Sequence, residues 1–316
     1  MATLEPQALT SEGSGGVPSE PQIAGPRGWK RRLEDPFNTF YRYPVALAIT
    51  RLLMPTRVTP NQVSMVQPLF AAGAGYLLTF DSFQAHLAAV ALFEIRSILD
   101  CVDGSLARAK KLSSPNGHAI DAMADWLGVV LLYAGIFHFV YHHPALGVSP
   151  MMGLAVVAVA LIQGGLRSMA ADYFKSKYLG IYERARDEVP EILREKLLGL
   201  GECRSVFARI DAWIMRMGHL MFELERFDPR RVRTLCPVAI EKMSREEHST
   251  KTKLIGFLWS ISSGDAFLSF VILSIVLDRL WQGQLFFATV GCAWIGLVVV
   301  TNVIFLRSYR RAAEQA

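Results

Sequence analysis

The chain has 316 residues, a hydrophobic fraction of 52%, a mean hydropathy of +0.28 and a formal net charge of +5. Apolar content this high argues against the pair of soluble domains that the length alone would allow, and for an integral membrane protein. The basic residues flank apolar segments, which argues for anionic lipid as their partner and against nucleic acid. Four cysteines (Cys101, Cys203, Cys236, Cys292) form no CxxC pair and no zinc spacing, so free thiols are expected.

In chain order, no apolar h-region follows Met1, so no signal peptide is expected. Residues 1–34 form the first unit, predicted to be a disordered cytosolic tail rich in Gly, Pro, Ser and Glu. The second unit, residues 35–316, is predicted to be an all-α membrane domain. Its residues 35–56 mix aromatics, leucines, Arg42 and Arg51, and suit an N-terminal interfacial helix rather than a span. Six transmembrane helices are predicted, at roughly 61–80, 85–108, 117–142, 150–178, 253–277 and 281–307. The short loops 81–84, 143–149 and 278–280 hold a single basic residue, Arg279, while Lys30, Arg57, Arg108, Lys110, Lys175 and Arg307 lie at the other ends. Both termini are therefore expected in the cytosol. Between the fourth and fifth spans lies a long charged insertion, 179–252. Within it Val206, Ile210, Trp213, Met217, Leu220 and Leu224 recur at helical spacing, which predicts an amphipathic helix packed on the cytosolic face of the bundle.

Chemistry concentrates at residues 100–125. Asp100, Asp103, Gly104, Ala107 and Arg108 share one face of the second span's cytosolic end. Gly117, Asp121 and Asp125 share one face of the third. Antiparallel helices joined by a short loop bring the two faces together. Carboxylates near a bilayer are costly and tend to mark function. Oxygen ligands without His or Cys suit Mg²⁺ or Mn²⁺. Two such ions are a known way to clamp the attacking and leaving oxygens of a phosphoryl displacement. Arg108 adds a fixed positive charge for phosphate.

The string Asp100-xx-Asp103-Gly104-xx-Ala107-Arg108, eight residues, then Gly117-xxx-Asp121-xxx-Asp125, resembles the CDP-alcohol phosphatidyltransferase signature at all its fixed positions. The Thr59-Pro60-Asn61 entry to the first span also looks like that family. The resemblance implies transfer of a phospho-alcohol group from a CDP-linked donor to an alcohol, with release of CMP. It implies Asp100, Asp103, Asp121 and Asp125 as ligands of two metal ions, and Asp125 as the catalytic base or as sharing that role. It implies Gly104, Ala107, Arg108 and Gly117 as the donor-binding residues. CDP-diacylglycerol with a small polar alcohol is the first expectation. A soluble CDP-alcohol with a lipid or sugar-phosphate acceptor is the second. The family further implies a homodimer.

Other polar residues fall within the spans. Arg167 and Lys175 are candidates for an acceptor-phosphate pocket, against the plainer expectation that Arg96 or Arg167 pairs with Glu94 or Asp265. A multi-span cation transporter is the non-enzymatic alternative. A bacterial inner membrane is the first expectation for location, the endoplasmic reticulum the second.

Overall fold

The computed structural model describes residues 28–112, 115–143, 147–199, 206–223, 227–230 and 234–314. Among these, every regular element is helical, as expected. Residues 1–27 of the expected tail lie outside them. Its last residues do not continue a tail. Residues 28–32 form α1 (Gly28–Arg32), and Trp29 and Leu33 are buried. The Trp29 ring stacks on Tyr182 at 4.0 Å and its Nε1 donates to Glu247 at 2.9 Å. An aromatic and a leucine set among basic residues thus anchor this segment.

A π turn (Asn38–Arg42) leads into α2 (Tyr43–Leu53), inside the stretch expected at the headgroups. Phe40 and Leu52 are exposed. Arg42 is buried, its charge met by a two-pronged pair with Glu94 at 2.6 and 3.1 Å. Next come α3 (Pro60–Leu77), α4 (Phe83–Ala109) and α5 (Pro115–His142). Thr59 caps α3 through a reciprocal pair with Gln62, with Pro60 in the first turn. α3 packs on both α4 and α5. It crosses α5 at Gly75 and Gly135, where a Cβ on either would run into the backbone of the other helix. That close approach sets the height of α5 against α3 and α4.

α6 (Pro150–Arg184) outruns the expected span by about a turn and a half and ends at Ala185 in the left-handed conformation, φ 53°. α7 (Val189–Gly199), α8 (Val206–Glu223) and α9 (Pro237–Arg245) form the insertion. Phe222 of α8 and Ile240 and Met243 of α9 join Tyr173, Phe174 and Tyr178 of α6 in one buried cluster. A separate cluster ties α3, α4, α5 and α6 to α11 and α12.

The expected fifth span is not continuous. α10 (Thr250–Ile261) and α11 (Gly264–Val276) meet at 54°. Ser263 caps α11 by accepting from the Ala266 amide, so Ser262-Ser263 ends one helix and starts the next. The last span is α12 (Leu280–Phe286), a π turn (Phe287–Gly291) and α13 (Cys292–Glu314).

Six spans are not all found among the described residues. There, three helices, Ile120–His142, Pro150–Arg184 and Leu280–Arg310, are long and apolar enough to cross a membrane, or four if the bent pair is one span. α3 and α4 fall short of that measure. α3 carries Asn61, Gln62 and Gln67, and α4 carries Glu94, Arg96, Asp100, Asp103 and Arg108. The polar groups that build the site are what dilute these two helices.

Candidate active site

Asp100 and Asp103 lie three residues apart on α4, and Asp121 and Asp125 four apart on α5, so each pair faces one way. One carboxylate oxygen each from Asp100, Asp103 and Asp121 lies within 4.8 Å of the others. Three carboxylates this close repel one another unless a cation lies among them. Oxygen-only donors fit a hard divalent ion such as Mg²⁺ or Mn²⁺.

Asp103 is 4% exposed. Ser64 Oγ and Gln67 Nε2 of α3 both donate to its Oδ2, at 2.7 and 2.6 Å. Such outer partners fix a ligand's orientation. The sequence reading missed both residues. Their signal is a serine and a glutamine three apart in a mostly apolar helix.

Asp125 is not one of these three, but its carboxyl lies against that of Asp100. Its side chain is 45% exposed, and its Oδ1 accepts from Nη2 of Arg96, whose side chain is 4% exposed. Gly104 and Ala107 are half-buried, and the exposed Arg108 donates to Ser105 Oγ at 3.2 Å. Gly117 falls in the first turn of α5, where side chains lie outside the described residues.

Arg167 and Lys175 do not stand open as an acceptor pocket. Arg167 is buried and donates to the carbonyl oxygens of Ser262 at 3.2 Å and Ile261 at 2.7 Å. It satisfies the last carbonyls of α10 at the break in the fifth span. Lys175 pairs with Glu34 at 3.2 Å. The plainer pairing scheme is also reassigned: Glu94 takes Arg42, Asp125 takes Arg96, and Asp265 accepts from Asn38 Nδ2 at 2.8 Å. Asn38 also accepts from Arg42 at 3.2 Å, so the segment before α2 links α4 to α11 beside the aspartates. Close by, burial and the Asp265 charge push the Asp35 carboxyl up to about 6, against the pull of Arg42 and of the Phe37 and Asn38 amides.

A family model described as CDP-alcohol phosphatidyltransferase matches residues 57–184, a stretch that runs through α3, α4, α5 and α6 and holds all four aspartates. Those residues are a CDP-alcohol phosphatidyltransferase domain. Two of its three relatives are lipid synthases by name. Ceramide phosphoethanolamine synthase of Drosophila melanogaster is 25% identical over 234 residues, 72% of this chain and 53% of that protein. Archaetidylinositol phosphate synthase of Aeropyrum pernix is 27% identical over 148 residues, covering 47% of this chain and 68% of its own length. A bifunctional IPC transferase and DIPP synthase of Rubrobacter xylanophilus is 31% identical over 155 residues, 49% of this chain and 30% of that protein. The chain spans about half of the Drosophila protein and under a third of the Rubrobacter one. The cation transporter weighed from the sequence finds no support, since each of these relatives is named as a synthase or transferase. The match ends at Arg184, so the α1–α2 segment and everything from α7 onward lie outside it.

Proposed function

We propose that this domain transfers a phospho-alcohol group from a CDP-linked donor to an acceptor alcohol and releases CMP, with lipid on one side of the exchange. The observation that carries the reading is the convergence of Asp100, Asp103 and Asp121 within 4.8 Å on the two helices of the family signature. These three residues would hold divalent cations. When bound, such ions neutralise the donor's diphosphate and the charge that builds on the departing CMP.

The chain's own residues do the rest. Ser64 and Gln67 hold Asp103 in its ligating pose. Gly104 and Ala107 leave room beside α4 for the nucleotide, Gly117 is the signature's donor-binding residue on α5, and Arg108 adds positive charge. Asp125, open to the site, takes the proton of the acceptor hydroxyl. The hydroxyl oxygen bonds to the β-phosphorus, the phosphorus–oxygen bond to CMP breaks, and its electron pair leaves with CMP. The basic-flanked ends of the helices support a cytosolic side for this site.

Two donor classes are in play. A CDP-linked lipid donor, such as CDP-diacylglycerol or its ether-lipid counterpart, with a small alcohol such as an inositol phosphate is the class that the archaeal relative's name supports. The relative that covers most of this chain is named for ceramide phosphoethanolamine, which supports a soluble donor such as CDP-ethanolamine and a lipid alcohol as acceptor. That relative also favours an endoplasmic-reticulum membrane over a bacterial one.

The test is product identification by mass spectrometry. Purified protein in nanodiscs is given CDP-diacylglycerol or CDP-ethanolamine, Mg²⁺ or Mn²⁺, and a panel of alcohols and ceramide. CMP and a new phosphodiester lipid are expected from one donor class. Absence of CMP from every combination would overturn the reading. Asp125→Asn is expected to lose turnover by at least about 100-fold while donor binding persists; near-normal turnover would remove Asp125 as base.

A further inference from the structure

Arg96 lies one turn before Asp100 on α4, and its side chain is almost wholly buried. An arginine head is costly to bury and is kept where its charge is met. Here its observed ion-pair partner is Asp125, through Nη2, while Nε is buried with no hydrogen-bond partner. The guanidinium sits in a fitted slot. Phe93 lies 5.6 Å below it, measured to the ring centroid. Gly128, three residues after Asp125, forms the facing wall. A Cβ there would lie 3.2 Å from Arg96 Nε, tighter than an ordinary contact. Ala71 of α3 closes the same space. Three helices therefore shape a cavity for one guanidinium, and that guanidinium holds one oxygen of one carboxylate.

We propose that Arg96 is a positioning residue that fixes one oxygen of Asp125 beside the metal-site carboxylates and turns the open side of that carboxylate to the acceptor hydroxyl. This rests on Asp125 acting as the base. The geometry accounts for a half-exposed carboxylate beside a buried guanidinium: Arg96 fixes the inner edge and leaves the outer edge to the substrate. Position matters because a misplacement on the order of 1 Å can cost about 100-fold in rate.

The test pairs turnover with Mn²⁺ affinity, measured by electron paramagnetic resonance on the full chain in nanodiscs. Arg96→Met is expected to lower kcat by about 100-fold, with donor KM within about threefold. Mn²⁺ affinity should hold, because Asp100, Asp103 and Asp121 are unchanged. Arg96→Lys, which keeps a charge but not the planar fork, is expected to recover part of the loss. Gly128→Ala keeps Arg96 and crowds its slot, so kcat should fall severalfold with Mn²⁺ affinity unchanged; it decides the matter should Arg96→Met fail to fold. An Arg96→Met or Gly128→Ala enzyme within threefold of wild-type kcat overturns the proposal. So does a parallel loss of Mn²⁺ affinity, donor KM and kcat, which marks general support of the fold. A wild-type protein that releases no CMP removes the enzymatic reading and this inference with it, whereas failure of the variants alone leaves that reading standing.

Discussion

At the scale of single residues, the carboxylates were legible and their partners were not. Asp100, Asp103, Asp121 and Asp125 announce themselves because charge in an apolar helix is rare and their spacing places each pair on one face. Ser64 and Gln67 carry no such signal. Each is an ordinary polar residue until the fold brings α3 against α4. Arg96 and Arg167 were visible as charges, but which group each would meet depends on packing, and Arg167 found backbone carbonyls that no sequence pattern advertises. The two donors to Asp103 yield a direct expectation. Removing either by Ser64→Ala or Gln67→Leu leaves the ligand oxygen under-supported, and loss of such a partner weakens metal affinity by about 10- to 100-fold. Mn²⁺ titration checks this, and unchanged affinity in both variants would deny these residues their orienting role.

At the scale of elements, most of the expected helices appear near their expected ends because Pro, Ser and Thr mark their starts. Thr59-Pro60 and Ser149-Pro150 are two such signals. The fifth span was misread as continuous since its composition is apolar throughout. The break was written as Ser262-Ser263-Gly264-Asp265, a capping sequence in the middle of an apolar run. The segment before α2 was expected only to float at the interface. In the fold it is tied down by Arg42, which meets Glu94 of α4, two residues before Arg96. Arg42→Met should therefore leave Glu94 with only the Tyr41 hydroxyl as partner and cost about 3 kcal/mol, discounted for the partial exposure of Glu94. The double variant Arg42→Met with Glu94→Met should recover much of that. Thermal unfolding of the two proteins measures it, and equal losses in single and double variants would show that the pair is not what fastens this segment.

At the scale of the whole molecule, the insertion is held to the bundle by buried charge as well as by aromatic packing. Lys177 of α6 meets Asp187 at 3.1 Å and Glu223 of α8 at 2.6 Å, and Arg310 of α13 meets Glu223 at 2.6 Å. Burial alone would raise the Glu223 carboxyl, but Lys177 and Arg310 hold it down to about 2 from an ordinary 4.5. The folded value lies below the unfolded one, so the stabilisation is complete above about pH 4.5 and fades as pH falls toward 2. It amounts to about 3 kcal/mol. Glu223→Gln should lower the Tm at neutral pH and flatten the acid limb of the Tm profile between pH 5 and 3. Matching acid limbs in the two proteins would count against the network. The hydropathy pattern showed that residues 179–252 hold an amphipathic helix, yet the charged contacts that dock it join residues far apart in the chain and leave no periodic trace. The exposed leucines, valines and aromatics along α3, α5, α6 and α13 are what a lipid-facing surface requires. The polar α3–α4 pair meets α5 where the aspartates gather.

The central claim is that Asp100, Asp103 and Asp121 bind divalent cations on which CMP release depends. The most direct measurement is Mn²⁺ binding and CMP release on the same nanodisc preparation, before and after chelation, for the wild type and for Asp100→Ala. The wild type should bind Mn²⁺, release CMP only with metal present, and regain activity when metal is restored, while Asp100→Ala loses binding and release together. CMP release that survives chelation, or an active Asp100→Ala protein, would contradict the account.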